Sequence, residues 1–100
     1  MRVRYTRPAL ADLEAILEYT ATHSPRGAKR VRAKIKSAID LLLRHPLIGT
    51  RTDDPGTRRL VISPYPCLVF YAPTADEIII HAIRHAARDS DANATFRTRG

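Results

Sequence analysis

Residues 58–85, RRLVISPYPCLVFYAPTADEIIIHAIRH, decide the fold of this chain. Three short apolar runs, at 58–62, 67–71 and 77–85, are rich in β-branched and aromatic residues and are separated by Pro- and Asp-containing turns. Such runs are typical of consecutive strands in a small antiparallel sheet. The stretch therefore predicts a three-stranded meander.

Basic and imidazole side chains stand at the two ends of this meander. Arg58 and Arg59 open its first run, and Arg84 and His85 close its last. If these ends lie together, the four side chains meet at one edge of the sheet. We expect a compact cationic site there.

Two helices are predicted before the meander, after a short extended segment at 3–6. Pro8 suits the first turn of a helix over 8–23, and Ser24 with Pro25 supplies an N-cap and first turn for a second helix over 25–44. Helical periodicity gives each helix one apolar face. The predicted faces are Leu10, Leu13, Ile16, Leu17 and Thr20 in the first helix, and Val31, Ile35, Ala38, Ile39 and Leu42 in the second.

The order of elements predicts the fold class. A break this short joins the helices as an antiparallel hairpin, which would cover a small antiparallel sheet of about four strands in an α+β fold. Residues 47–57 are a loop by composition. We expect a single domain over 1–89 and, at 90–100, a tail that is flexible or ordered only on a partner.

Composition narrows the class of protein and partner. The formal charge is +7 and the sequence pI is about 10.3, with 44% hydrophobic residues. This is too apolar for a disordered basic tail and indicates a globular domain with a polyanionic or acidic partner. No segment is apolar enough to span a bilayer or to serve as a signal peptide, so a cytoplasmic protein that does not bind membranes is expected.

The remaining reactive side chains favour structural roles. Cys67, inside an apolar run, is expected to be a small buried hydrophobe. His81 and His85 have no cysteine or carboxylate cluster beside them, so neither a metal site nor a cofactor is predicted. Tyr71 is expected in the core, whereas Tyr65, between two prolines, could be a turn anchor or an exposed contact.

Several motifs resemble, in order and spacing, the ParE/RelE toxins of bacterial type II toxin-antitoxin modules. The matching stretches run over about residues 2–89 and include ALADLEAILEY (9–19), HPLIG (45–49), Arg58-Arg59-Leu60, Tyr65, VFY (69–71) and IHAIRHAAR (80–88). The resemblance implies a toxin neutralised by a cognate antitoxin, whose acidic C-terminal segment would wrap it in a hetero-oligomer.

Two activities occur in this family. RelE-like members cut mRNA in the ribosomal A site, and here Arg58, Arg59, Arg84 and His85 would be the catalytic candidates. ParE-like members poison DNA gyrase. The strand at 67–71 lacks the arginine that RelE-like chains carry near its start, and the chain has no tyrosine after Arg88.

The resemblance therefore favours a non-enzymatic gyrase inhibitor that blocks DNA replication. Its expected target-binding residues are Arg58, Arg59, Tyr65, Arg84, His85 and Arg88. A ribosome-dependent mRNA endonuclease is the alternative. A third possibility is a detoxified binding module that acts with its antitoxin in autorepression.

Overall fold

The computed structural model describes residues 1–62 and 67–85 of the chain. These residues form two helices and five strands: β1 (Arg2–Tyr5), α1 (Arg7–His23), α2 (Pro25–Arg44), β2 (Thr50–Arg51), β3 (Arg58–Ile62), β4 (Cys67–Pro73) and β5 (Glu77–His85). Within these described residues, neither α1 nor α2 has the length and hydropathy of a membrane span.

Both helices begin at the caps that their sequences provide. The Thr6 hydroxyl accepts a hydrogen bond from the Ala9 N–H at 3.2 Å, and the Ser24 hydroxyl accepts one from the Gly27 N–H at 3.0 Å. Each cap satisfies an amide that would otherwise be unpaired in the first helical turn, and a proline follows in that turn. The helical hairpin is confirmed, and α2 has the predicted limits.

The sheet differs from the prediction in strand count and in one pairing. Its order is β1-β5-β4-β3-β2, so it has five strands rather than about four. The additional strand, β2, lies in the predicted loop and pairs antiparallel with β3. β1 runs parallel to β5, with Arg2 opposite Glu77 and Tyr5 opposite Ile80. The sheet therefore contains both parallel and antiparallel pairs. The parallel pair is possible because the helical hairpin, which follows β1 in sequence, carries the chain across the sheet before the meander begins.

The helices cover one face of the sheet, which we call the helix face. The main core joins both helices to this face and contains Ala9, Ile16, Val31, Ile35, Ile39, Leu42, Ile62, Cys67, Val69, Tyr71, Ile78, Ile80 and Ile83. The predicted stripe of α2 is confirmed. In α1, Leu10 was wrongly assigned to the apolar face: it is 45% exposed, and Ala9 is buried in its place.

The opposite face of the sheet, the far face, carries a separate buried cluster. It consists of Leu68, Phe70 and Ala82 from β4 and β5. Side chains alternate between faces along a strand, so the neighbours of these residues on β3 and β5 can be assigned by register. Arg59 lies opposite Phe70, and Arg84 lies opposite Leu68. Alternation therefore assigns both arginines to the far face, and the side chain of Arg84 extends to within 3.7 Å of Asp12 on α1.

Candidate functional site

Arg58 holds a loop in place from the helix face. It lies opposite Tyr71, and its Nη1 donates hydrogen bonds to the carbonyl oxygens of Leu47 at 3.1 Å and Gly49 at 2.8 Å. These carbonyls belong to the segment that links α2 to β2. Charge-assisted hydrogen bonds of this kind are among the stronger ones in proteins. The guanidinium of Arg58 therefore helps to hold the backbone of this loop in place.

Tyr71 fixes the same loop from within the core. Its side chain is fully buried, and its hydroxyl donates to the Pro46 carbonyl oxygen at 2.8 Å while accepting from the Gly49 N–H at 2.9 Å. Burial raises the pKa of Tyr71, an effect partly opposed by the Gly49 hydrogen bond and the charge of Arg58. The prediction that Tyr71 is a core residue is confirmed, and the HPLIG segment is held at both of its ends.

Gly49 is required where it is by close packing. A Cβ at this position would lie 2.7 Å from the Cε1 and hydroxyl of Tyr71 and 2.9 Å from the Arg59 carbonyl oxygen. These separations are well inside van der Waals contact. Only a residue without a side chain fits between β3 and the Tyr71 ring.

His85 lies on the helix face, away from Arg59 and Arg84. Its register partner is Cys67, and its ring meets the ring of Tyr19 on α1 edge-on, with centroids 5.9 Å apart. Among the described residues its Nδ1 is buried and has no hydrogen-bond partner. Tyr19 also contacts His23, at 4.9 Å between ring centroids. His85 is therefore packed against the end of α1.

Asp12 joins α1 to β5 through contacts that the sequence reasoning missed. Its Oδ2 accepts a hydrogen bond from the Ile83 N–H at 3.0 Å, and its Oδ1 lies 3.7 Å from Nη1 of Arg84. The periodicity of α1 assigned Asp12 to the polar face. In the structure it sits at the margin of that face, close enough to the edge of β5 to satisfy a backbone amide.

The far face carries Arg59 and Arg84, and His81 lies in the same strand as Arg84. His81 is the extra residue of a bulge opposite Phe70 and Tyr71, between Ile80 on the helix face and Ala82 on the far face, so alternation assigns it to neither face. β3 and β5 flank β4, so Arg59 and Arg84 stand about two strand spacings apart and two residues out of line, or about 12 Å between Cα atoms. Between them lie the apolar side chains of Leu68 and Phe70.

The four predicted site residues do not form one cluster. Arg58 and His85 lie on the helix face, four residues apart in register and so about 14 Å distant along the strands, while Arg59 and Arg84 lie on the far face. The expectation that they meet at one edge was wrong, because adjacent residues of a strand point to opposite faces. Tyr65 and Arg88 lie outside the described residues.

Metal binding finds no support in the part of the chain that the structure describes. It contains no group of three or more His, Cys, Asp or Glu side chains that could hold an ion. Cys67 is fully buried, as predicted, and this burial raises the pKa of its thiol. A thiol in that environment is a poor nucleophile and a poor ligand.

An apolar groove of about 370 Å³ lies between the helical hairpin and β1. Its floor comes from three elements and consists of Val3, Tyr5, Leu13, Leu17, Ile35, Ile39 and Leu43. Arg32 and Lys36 line it with a single carboxylate, that of Asp40. β1 is the outermost strand of the sheet on this side, so the groove borders a strand edge.

Comparisons with known proteins all find similarity to toxins or to toxin-antitoxin systems. The family model described as "ParE toxin of type II toxin-antitoxin system, parDE" matches residues 3–90. The chain is 39% identical over 87 residues to Toxin RelE2 of Caulobacter vibrioides, covering 87% of this chain and 97% of the relative.

A second relative and a solved structure extend this similarity. The chain is 34% identical over 85 residues to the putative toxin Y4kP of Sinorhizobium fredii, covering 85% of this chain and 88% of the relative. Its fold matches a chain of the chromosomal ParDE system from P. aeruginosa with a TM-score of 0.72 at 26% identity, over 85% of this chain and 95% of that one.

Proposed function

Because the chain belongs to the ParE toxin family of type II toxin-antitoxin systems, we propose that it arrests growth by inhibiting DNA gyrase. In this proposal a cognate antitoxin neutralises it by binding, and the chain itself has no catalytic site. The proposal implies a cytoplasmic location, where gyrase works.

The separation of the candidate cleavage residues carries this proposal. RNA cleavage without a metal needs a cation at the phosphate and a proton-transfer group within hydrogen-bond reach of the reacting oxygens. Arg58 donates instead to two loop carbonyls, His85 packs against Tyr19 on the face opposite Arg59, and Arg84 lies 3.7 Å from the Asp12 carboxylate. Binding without chemistry accounts for these arginines more simply.

One observation favours a second candidate, the ribosome-dependent mRNA endonuclease. Register assigns Arg59 and Arg84 to the far face, and His81 lies in the same strand as Arg84, so side chains of β3 and β5 could hold a phosphate and transfer a proton. In this alternative His81 replaces His85 as the proton-transfer group, and Arg58 stays structural.

Labelling of DNA and protein synthesis separates the two candidates. The chain would be induced without antitoxin, and incorporation of labelled thymidine and methionine followed over the first minutes. An early fall in DNA synthesis supports gyrase inhibition, which purified gyrase would then confirm by accumulation of cleaved plasmid. An early fall in protein synthesis, with mRNA cut at A-site codons, contradicts it. A chain that stops neither is the detoxified module.

Charge reversal at Arg84 and Arg88 tests target binding. Arg84→Glu with Arg88→Glu is expected to abolish growth arrest, since both arginines are proposed to contact the target. Glu14→Lys, at an exposed position of α1, is a control for a change of charge at a distant site. A folded double variant that remains fully toxic would remove these two arginines from the proposed surface.

The hairpin groove is the proposed seat of the antitoxin. Its apolar floor suits an amphipathic helix or an extended segment alongside β1, and its rim carries two cations against one carboxylate. An antitoxin segment with alternating apolar and acidic residues would bury its apolar side chains on this floor. Its acidic side chains would pair with Arg32 and Lys36. This contact would hold the chain and its antitoxin together in the expected hetero-oligomer.

A further inference from the structure

The loop at residues 46–49 exposes two large apolar side chains from an unusually fixed backbone. Leu47 and Ile48 are consecutive aliphatic residues, and both are exposed to solvent, Leu47 by 65% and Ile48 by 49%. Isolated exposed leucines are common on proteins, but adjacent ones on a constrained loop call for a reason.

The constraint comes from the hydrogen bonds that hold the loop. Tyr71 bonds the Pro46 carbonyl and the Gly49 amide, Arg58 bonds the carbonyls of Leu47 and Gly49, and the Ile48 N–H donates to the His45 carbonyl at 3.1 Å. The loop thus offers its apolar side chains from a single backbone conformation. A preformed loop loses little conformational entropy on binding, which raises affinity.

A cleft of about 400 Å³ adjoins Leu47. It is lined by Leu47, Arg51, Thr52, Pro55, Gly56, Thr57, Arg58 and Pro73. Two arginines face it, and no carboxylate is among these lining residues. The surface therefore combines a convex apolar projection with a neighbouring cationic recess.

We propose that Leu47 and Ile48 are the anchor by which this chain binds an apolar pocket, rimmed by carboxylates, on its folded target protein. The inference rests on the proposed function for the existence of such a target. A convex projection requires a concave partner, which a folded protein supplies. A disordered antitoxin segment is itself convex when it folds on binding and requires a groove, such as the one beside β1. We expect carboxylates at the rim of the partner's pocket because Arg51 and Arg58 line the cleft beside Leu47 and would pair with them.

The test compares Leu47→Ser/Ile48→Ser with Leu10→Ser, a matched loss of an exposed leucine on α1. Purified DNA gyrase is the first probe and 70S ribosomes the second. The 47/48 variant should bind whichever probe the wild type binds at least about tenfold more weakly, since truncated anchor residues have effects of this size. Leu10→Ser should bind as the wild type does, and both variants should bind the cognate antitoxin normally.

Each outcome decides the proposal. Wild-type binding to ribosomes but not to gyrase, lost in the 47/48 variant, keeps the anchor and removes the gyrase function. Unchanged target binding by the 47/48 variant overturns the anchor, as does loss of antitoxin binding alone or a wild type that binds neither probe. The single variants Leu47→Ser and Ile48→Ser are measured too, with thermal unfolding of each, so that the folded variants still decide the question if one misfolds.

Discussion

Single residues of this chain show how a side chain's partner decides its role. Arg58 and Arg59 are neighbours of the same type, yet Arg58 faces the helices and bonds loop carbonyls while Arg59 lies on the far face beside Phe70. The residue type predicts a cation at both positions. Their different surroundings follow from the alternation of the strand and from a pair of carbonyls earlier in the chain.

Replacing Gly49 by alanine should destabilise the fold by about 1–3 kcal/mol, the usual range for overpacking. The added methyl would press on the buried Tyr71 ring and on the Arg59 carbonyl, and backbone cannot give way as a flexible side chain can. Urea unfolding of the purified variant measures the change. Thr50→Ala, at the exposed neighbouring position, should lie within about 0.5 kcal/mol of the wild type. A fully stable Gly49→Ala would contradict the packing described.

Replacing Tyr71 by phenylalanine should cost about 1–3 kcal/mol, because the Gly49 N–H and the Pro46 carbonyl each lose their partner. It should also alter the pH dependence of stability. The pKa of Tyr71 is raised by burial, so its contribution is intact below the unfolded value of 10.0 and is lost as the pH rises through the folded value.

The wild type should therefore lose stability above about pH 10 more steeply than Tyr71→Phe. Denaturant midpoints between pH 8 and pH 11 measure both slopes. Some decline remains in the variant, since burial raises the pKa of Tyr5 as well. Parallel curves for the two proteins would mean that Tyr71 ionises without hindrance in the folded chain.

Elements were predictable where local chemistry determines them. First-turn prolines and the capping Ser24 identify the helices, and the β-branched runs identify β3, β4 and β5. β2 has only two residues in a segment rich in Gly, Pro and Asp, so no periodicity could reveal it. The parallel pairing of β1 with β5 depends on how the hairpin crosses the sheet, which no local pattern contains.

The edge of β5 depends on α1 for one of its backbone hydrogen bonds. β1 pairs with β5 only as far as Ile80, and beyond it the Ile83 N–H is satisfied by the Asp12 carboxylate. Asp12→Ala should cost about 1–3 kcal/mol, as an amide loses its acceptor. Asp12→Asn, which can still accept this bond, should cost less.

Hydrogen exchange at Ile83 measures this dependence directly. Its amide should exchange faster in Asp12→Ala than in the wild type, while Glu14→Ala, at an exposed position of the same helix, leaves it unchanged. Equal protection of Ile83 in all three proteins would show that β5 holds its edge without α1.

At the scale of the whole molecule, the α+β class and the toxin family could be predicted from sequence, and the joint placement of the cations could not. A net charge of +7 predicts a polyanionic or acidic partner, but each cation's surroundings determine which partner it could meet. Arg32 and Lys36 line the apolar groove, whereas Lys29 and Lys34 lie outside it on the same helix.

Antitoxin binding should therefore respond unequally to equal changes of charge. Arg32→Glu/Lys36→Glu should weaken it at least about tenfold, since each reversed pair is worth on the order of 1 kcal/mol. Lys29→Glu/Lys34→Glu changes net charge by the same amount and should have a smaller effect. Titration at two salt concentrations measures both, and the steeper salt dependence should belong to the wild type. Equal losses would favour a diffuse attraction over a defined groove.

The pairing of the first strand with the last has a consequence for the order of synthesis. Arg2 and Glu77 are 75 residues apart, so β1 has no strand partner until β5 has left the ribosome. Non-local pairs of this kind form late in folding. A nascent chain that ends before Glu77 lacks β5, and with it both Arg84 and the strand that pairs with β1. Toxicity should therefore begin only with the completed polypeptide, and the cell has the interval of its translation in which to supply antitoxin.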